Sequence, residues 1–407
     1  MSVISKELKF YKTLPLKARV LVFSFVLRSV ASPIFSLFIN SFIWRTTSSF
    51  FNVAIYNLGF FIFLPLGFYI NGLLLKKIKI NILYLVGLFV STLTALVIIF
   101  FSGTCAGHFL VYGLFLGFAN GMYWANRNFL SWQETKSEQR NYFFSIVSIF
   151  DSLVILAVTF LAGWAIELSD YTNLYTPTMA YIALSILAGV FLITSGLIIL
   201  KTSYQTPRVG RMIQFNISKI WNKIRFLNFS MGIKEGLNFY LPALLVLFYL
   251  GEEGTLGTIS SMVILLTVVI TYFYGRKSRI DHCRPTFFIS ASLYIVAAGL
   301  LFVLPQPYNI FVFVLLAGIS NKFQWLSVDP AWLDVVDKEV SHKANSKYTL
   351  IFDLEVFLDL GRSVSVLGLF LLIKFTTEKM GFFLAPLVLG TIQLVLISLV
   401  WKKKSFN

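Results

Sequence analysis

Apolar residues along this chain come in long blocks, each closed by a short polar stretch. Neither the alternation of a half-buried strand nor the narrow stripe of a soluble helix governs them. The blocks fall at about 20–44, 51–75, 81–101, 108–132, 142–167, 178–200, 226–250, 255–274, 286–304, 309–333, 348–373 and 380–401. Each has the ~20 residues that a helix needs to cross ~30 Å of hydrocarbon. A β-barrel is excluded, because its strands are about half as long and alternate in polarity. The pattern predicts an all-α polytopic membrane protein of twelve transmembrane helices. The first block follows basic residues but is too long for a signal-peptide core and lacks a small-residue cleavage site, so it is expected to be retained as a helix.

Composition agrees. Of 407 residues, 57% are hydrophobic and 13% charged. The formal charge of +16 would suggest nucleic acid, but its placement removes that reading. Alternate loops carry twenty-six Lys and Arg, and the loops between them carry only Arg45, Lys374 and Lys379. By the positive-inside rule both termini lie in the cytoplasm, which requires an even number of spans. Cys105 and Cys283 fall in loops on opposite sides and cannot pair, and no Cys/His cluster offers a metal site.

The longest interior loop, 201–226, is basic and divides the blocks six and six. It sets the expected organisation: a six-helix bundle at 1–200, a cytoplasmic loop at 201–226 and a second bundle at 227–407. Internal similarity supports the division. "GFANGMYW" in the fourth block and "GISNKFQW" in the tenth align Gly117 with Gly318, Asn120 with Asn321 and Trp124 with Trp325, all at one offset. Duplicated halves are the usual construction of secondary transporters, with the solute site between them.

Charged residues inside the blocks are the candidate chemistry. Arg28, Arg127, Lys234 and Lys322 are cations; Asp151, Glu235, Asp329, Asp353, Glu355 and Asp359 are acids, with Arg362 beside the last two. Unpaired and lipid-facing, these eleven groups would cost on the order of 30 kcal/mol. They must therefore face water or each other. Glu355, Asp359 and Arg362 stand at i, i+4 and i+7, on one helical face. Asp359 and Arg362 are expected to form a structural pair, leaving Glu355 without a base of its own; Asp353 points elsewhere and is expected at the headgroups. Ser24, Arg28, Ser32, Ser36 and Asn40 make a polar seam along the first block, with Pro33 as its bend. Asn238 lies one turn from Lys234 and Glu235, ahead of Pro242. The Gly113, Gly117, Gly121 series reads as close helix packing.

Six plus six spans, a basic central loop and related halves resemble the major facilitator superfamily. "GFYINGLLLKKIK" and "YGRKSRID" are similar to that family's basic loop motifs, except that Asn71 stands where the acid of a cytoplasmic charge-relay gate is expected. "GMYWANRN" and "EVFLDLGRS" resemble a little-characterised bacterial branch, the YqgE-like group. The resemblance implies a multi-pass protein of a bacterial cytoplasmic membrane. It also implies that spans 1, 4, 7 and 10 line a central cavity, and each carries one of the four cations. Those cations, with Asn120, Trp124, Asn238 and Trp325, are the expected contacts of an anionic or zwitterionic small molecule, since a planar guanidinium grips carboxylates well.

Carboxylates withdrawn from water can exchange protons near neutral pH. Glu355, Asp359, Asp151 and Glu235 are thus the candidates for coupling to H⁺. No nucleotide-binding loop is present, no cofactor is called for, and the three His residues lie in or near loops, so the chain does not read as an enzyme. The expected working unit is a monomer in the lipid bilayer. Efflux of lipophilic cations through an acidic and aromatic pocket is the alternative, and a non-transporting sensor or assembly protein on the same fold is a second.

Overall fold

The computed structural model describes residues 11–101, 106–135, 137–172, 174–207, 209–210, 212–213, 218–277, 280–343 and 347–401. Twelve long helices follow one another through these residues. They are α1 (Leu16–Thr47), α2 (Phe50–Leu74), α3 (Ile80–Phe100), α4 (Ala106–Gln133), α5 (Ser137–Thr172) and α6 (Pro177–Lys201). Then come α7 (Lys219–Leu250), α8 (Glu253–Lys277), α9 (Ile280–Val303), α10 (Pro307–Lys343), α11 (Lys347–Phe375) and α12 (Glu378–Val400). Among the described residues, 11 helices are long and apolar enough to cross a membrane. The remaining one, α4, has 28 residues, and Asn120, Asn126, Arg127 and Asn128 make it more polar than the others. It stands where the fourth span was predicted. α7 begins at Lys219, inside the stretch read from sequence as loop. Cys283, read from sequence as a loop residue, is buried within α9; Cys105 and the 402–407 tail lie outside the described residues, as do the side chains of 275–279 and of Asp329.

Two prolines shape the first helix of each group of six. Pro33 has no N–H for the Ser29 carbonyl and its ring crowds that oxygen. The chain passes through a π-helical turn at Ile34–Phe38 before α-helix resumes at Ile39. Pro242 cannot donate to Asn238, so α7 ends its first segment at Asn238. It restarts at Leu241, with the proline in the first turn, where no donor is needed.

Close approaches are made at glycine. A Cβ on Gly113, Gly117 or Gly121 of α4 would overlap the α2 carbonyl oxygens of Tyr56, Phe60 or Leu64. The expected packing role of this series holds. Gly232 of α7 and Gly361 of α11 meet in the same way, each against the other helix's backbone. Between apolar helices in lipid no hydrophobic drive remains, so backbone contact of this kind supplies much of the attraction. Gly318 of α10 faces the Val263 side chain of α8, whereas Gly117 of α4 meets the α2 backbone.

Within the first six helices α2 packs on α4, α3 on α4 and α6, and α1 on α5 and α6. Within the last six, α7 packs on α11, α9 on α10 and α12, and α12 on α7. The two groups meet through α2 with α11 and α5 with α8. Their seam differs at its two ends. At the lysine-rich end Asn71 and Asn126 exchange amide hydrogen bonds of 2.9 Å. Asn71 also donates to the Tyr348 hydroxyl of α11 at 3.0 Å, and Tyr348 donates to the Phe68 carbonyl at 2.9 Å. The position expected to lack a gate thus holds a neutral latch. At the other end Arg45 donates to both oxygens of Glu253 (3.0 and 2.8 Å) and of Asp170 (3.0 and 2.7 Å). Tyr181 donates to Glu253 at 3.1 Å, and the Gly254 N–H to Glu167 at 2.6 Å. From sequence Arg45 was a stray loop cation; here it is an ionic clamp.

Candidate functional site

The charged residues gather in two sets, one in each group of helices. In the first, α1 brings Arg28 and Ser29, α4 brings Asn120, Tyr123, Trp124 and Arg127, and α5 brings Asp151. Arg28 donates to the Asn120 amide oxygen at 3.3 Å, and its guanidinium lies 4.2 Å over Tyr123 and 5.5 Å over Trp124. Arg127 lies 4.7 Å over Trp124 and 4.8 Å over Phe25. Two cations therefore share the indole of Trp124. Asp151 accepts from the Ser29 hydroxyl at 2.5 Å and stands 3.6 Å from Arg127. Arg127 of α4 is thus paired across to Asp151 of α5. A small niche beside Arg28 is lined by Phe35, Leu88, Ser91, Asn120 and Tyr123.

In the second set, Gly232 and Gly236 let α7 lie against the α11 backbone, which brings Glu235 to Arg362. Arg362 donates to Asp359 at 2.6 Å and to Glu235 at 3.0 Å, and stands 3.7 Å from Glu355. The expected Asp359–Arg362 pair is present. The expectation that Glu355 has no base is overturned, because a long guanidinium reaches back along its own helix as well as across to α7. Arg362 also lies 5.7 Å from the Phe61 ring of α2, across the seam. The Asp359 side chain is 0% exposed, and its Oδ2 is buried without a partner.

The other predicted residues are placed differently. Lys234 is buried and lies 5.3 Å from the Tyr294 ring of α9, its Nζ without a hydrogen-bond partner. It faces away from its neighbour Glu235, since consecutive helical residues point ~100° apart. Lys322 is half-buried and makes no ion pair among the described residues. Asn238 is half-buried with Oδ1 unpartnered, and Trp325 packs against an apolar cluster that includes Leu227, Met231 and Phe287. The four cations do not form one ring. Asp353 accepts from Trp221 at 2.6 Å and from Arg225 at 2.6 Å. The α1 seam is not one wet face either. Ser24 bonds to Ser195 of α6 at 2.7 Å, and Asn57 of α2 donates to Asn40 at 2.7 Å. A four-residue spacing drifts around a 3.6-residue helix, so its members meet different neighbours. Asn126 and Tyr348 were missed altogether, as neutral residues distant in sequence carry no pattern.

Apolar helices in two groups, latched at both ends and enclosing layers of buried charge, define a membrane transporter. Comparison with known proteins gives its kind. The profile of the Major Facilitator Superfamily matches residues 20–366, and the chain belongs to that family. The Bacillus subtilis (strain 168) relative "Uncharacterized protein YqgE" is 23% identical over 379 residues, covering 89% of this chain and 84% of the relative. "Uncharacterized protein in sodM 3'region" of Geobacillus stearothermophilus is 27% identical over 130 residues, 32% of this chain and 61% of that protein. The crystal structure of the nucleoside transporter NupG superposes with a TM-score of 0.67 at 13% identity, over 95% of this chain and 98% of that one. FucP in its outward conformation gives a TM-score of 0.59 at 12% identity, over 97% and 100%. These likenesses establish the fold, and the chain is a transporter of that fold rather than an enzyme.

Proposed function

We propose that this protein is a secondary active transporter that moves a small polar solute, anionic or zwitterionic, by alternating access with proton coupling. Residues 1–200 and 227–407 are the two moving bundles and 201–226 their connector. The lysine-rich end faces the cytoplasm of a bacterial cell, so the Asn71–Tyr348 latch is cytoplasmic and the Arg45 clamp external. The monomer is the working unit. The observation that carries this reading is the arrangement of Glu235, Glu355 and Asp359 around Arg362, three buried carboxylates within 4 Å of one guanidinium. Three acids around one cation leave two negative charges unmatched, and a carried proton would meet one of them.

Arg28, Arg127, Asn120 and Trp124 supply the opposite polarity for the solute. Both guanidiniums already lie over Trp124, which supports an anionic end there and speaks against a lipophilic cation on that ring. Within the acid cluster Glu355 is the proton carrier, because it is the loosest partner of Arg362 and the most open, with its side chain 19% exposed. The test is solute counterflow against uphill uptake in proteoliposomes. Glu355→Gln should keep counterflow and lose accumulation driven by a proton gradient, since Gln resembles the protonated acid. Accumulation that survives in Glu355→Gln refutes the assignment, and a wild-type protein that moves no solute refutes transport in favour of a sensor or assembly role.

A further inference from the structure

The two charged sets are unbalanced in opposite directions, and the imbalance carries information about the cargo. In the first set one carboxylate, Asp151, stands under two guanidiniums, Arg127 and Arg28. In the second, Glu235, Glu355 and Asp359 act on one another and share Arg362 as their cation. The first set lacks one negative charge and the second lacks two positive ones. Unmet polar atoms mark both: Arg28 Nε and Asp359 Oδ2 are buried without hydrogen-bond partners. Neighbouring elements do not fill the gap. Asp353 of α11 is bound to Arg225 and Trp221, and Lys234 of α7 lies against Tyr294. Lys322 of α10 makes no ion pair among the described residues. α2 offers the Phe61 ring, and α12 the neutral Gln393, bonded to Gln324.

We infer that the cargo is a zwitterion, its negative end seated against Arg28 and Arg127 and its positive end against the carboxylates of α7 and α11, with one proton completing the filled site. This rests on the transporter reading above. One anionic group balances the first set. One cationic group and one H⁺, added to Arg362, balance three carboxylates in the second. With the same single proton, a simple anion would leave the second set one charge short, and a simple cation would leave the first short by one. Buried unpaired charge is what such a site rejects. The filled site then carries one net positive charge inward per zwitterion, so uptake is electrogenic.

The probes are amino acids with uncharged side chains, each beside its amide (positive end only) and its N-acetyl derivative (negative end only), with nucleosides and hexoses as neutral solutes. Binding is read as thermal stabilisation of the purified full-length protein, and transport as counterflow in proteoliposomes. At least one amino acid should stabilise the protein, with both of its derivatives weaker by about tenfold or more. Its uptake should quicken under an inside-negative potential. In Arg28→Gln the preference for the parent over the amide should shrink at least tenfold with the N-acetyl preference kept, and in Glu235→Gln, which leaves the proton carrier Glu355 in place, the reverse. Equal shrinkage of both preferences in either variant would make these residues structural and overturn the assignment. If an N-acetyl derivative, amide, nucleoside or hexose binds and is moved as well as any zwitterion, the zwitterion inference fails while transport stands. If none of the probes binds or moves, both fail.

Discussion

Arg362 is the residue whose loss the structure predicts to be felt most. Among the described residues it is the one cation within 4 Å of Glu235, Glu355 and Asp359, at 3.0, 3.7 and 2.6 Å. Arg362→Gln leaves three buried carboxylates facing one another, and removing one partner of a buried ion pair costs about 3–5 kcal/mol. Asp359→Asn is a milder change despite the shorter contact. The amide oxygen still accepts from Arg362, the guanidinium keeps Glu235, and one of three repelling charges is gone. Its cost is that of weakening a charge-assisted hydrogen bond, about 1–2 kcal/mol. Sequence spacing alone would predict the opposite order, with Asp359→Asn stranding its only partner. Both variants should be heated stepwise in detergent at neutral pH and the remaining folded protein measured by size exclusion. Arg362→Gln should lose the folded form at clearly lower temperature. Should Asp359→Asn prove equal or worse, the shared-cation reasoning is refuted.

Other expectations follow from the packing and the seams. Gly117→Leu, which drives a side chain into the Phe60 backbone, should yield little folded protein, whereas Phe115→Leu at a 57% exposed position should express normally. Tyr348→Phe removes the hydroxyl shared by Asn71 and the Phe68 carbonyl and should weaken the latch by about 1–2 kcal/mol. Accessibility of a thiol-reactive probe to cysteines in the cavity should then rise from the lysine-rich side; no change would show that the latch does not hold that end. Arg45→Gln breaks the link to Glu253 and Asp170 and should raise accessibility from the opposite side instead. Reporter fusions after Lys79 should read cytoplasmic and one at Gly251 external. A cytoplasmic Gly251 would refute the assigned orientation.

Much of this protein is legible without coordinates, because the bilayer imposes a constraint that acts on single segments. A helix must satisfy its own backbone and present ~20 apolar residues, so spans and loops follow from local composition. The glycine series and the proline breaks are local too, since each depends on what one residue lacks. Arg28, Arg127, Asp151, Glu235, Glu355, Asp359 and Arg362 could likewise be chosen by cost, a charge within apolar sequence being expensive wherever it lies. Which charge meets which is another matter. Asp151 under Arg127, Glu235 on Arg362, Arg45 between Glu253 and Asp170, and Asn71 on Tyr348 join residues from separate helices, and only the packing of those helices decides the partners. Helical spacing ranked Asp359 as the natural mate of Arg362 and left Glu355 alone. The close glycine contact of α7 on α11 changed that by adding Glu235, and the length of the guanidinium arm brought in Glu355. Sequence can state that buried charge must be balanced; tertiary structure alone determines where the balance is left incomplete, because that depends on distances between helices that no spacing along one chain encodes.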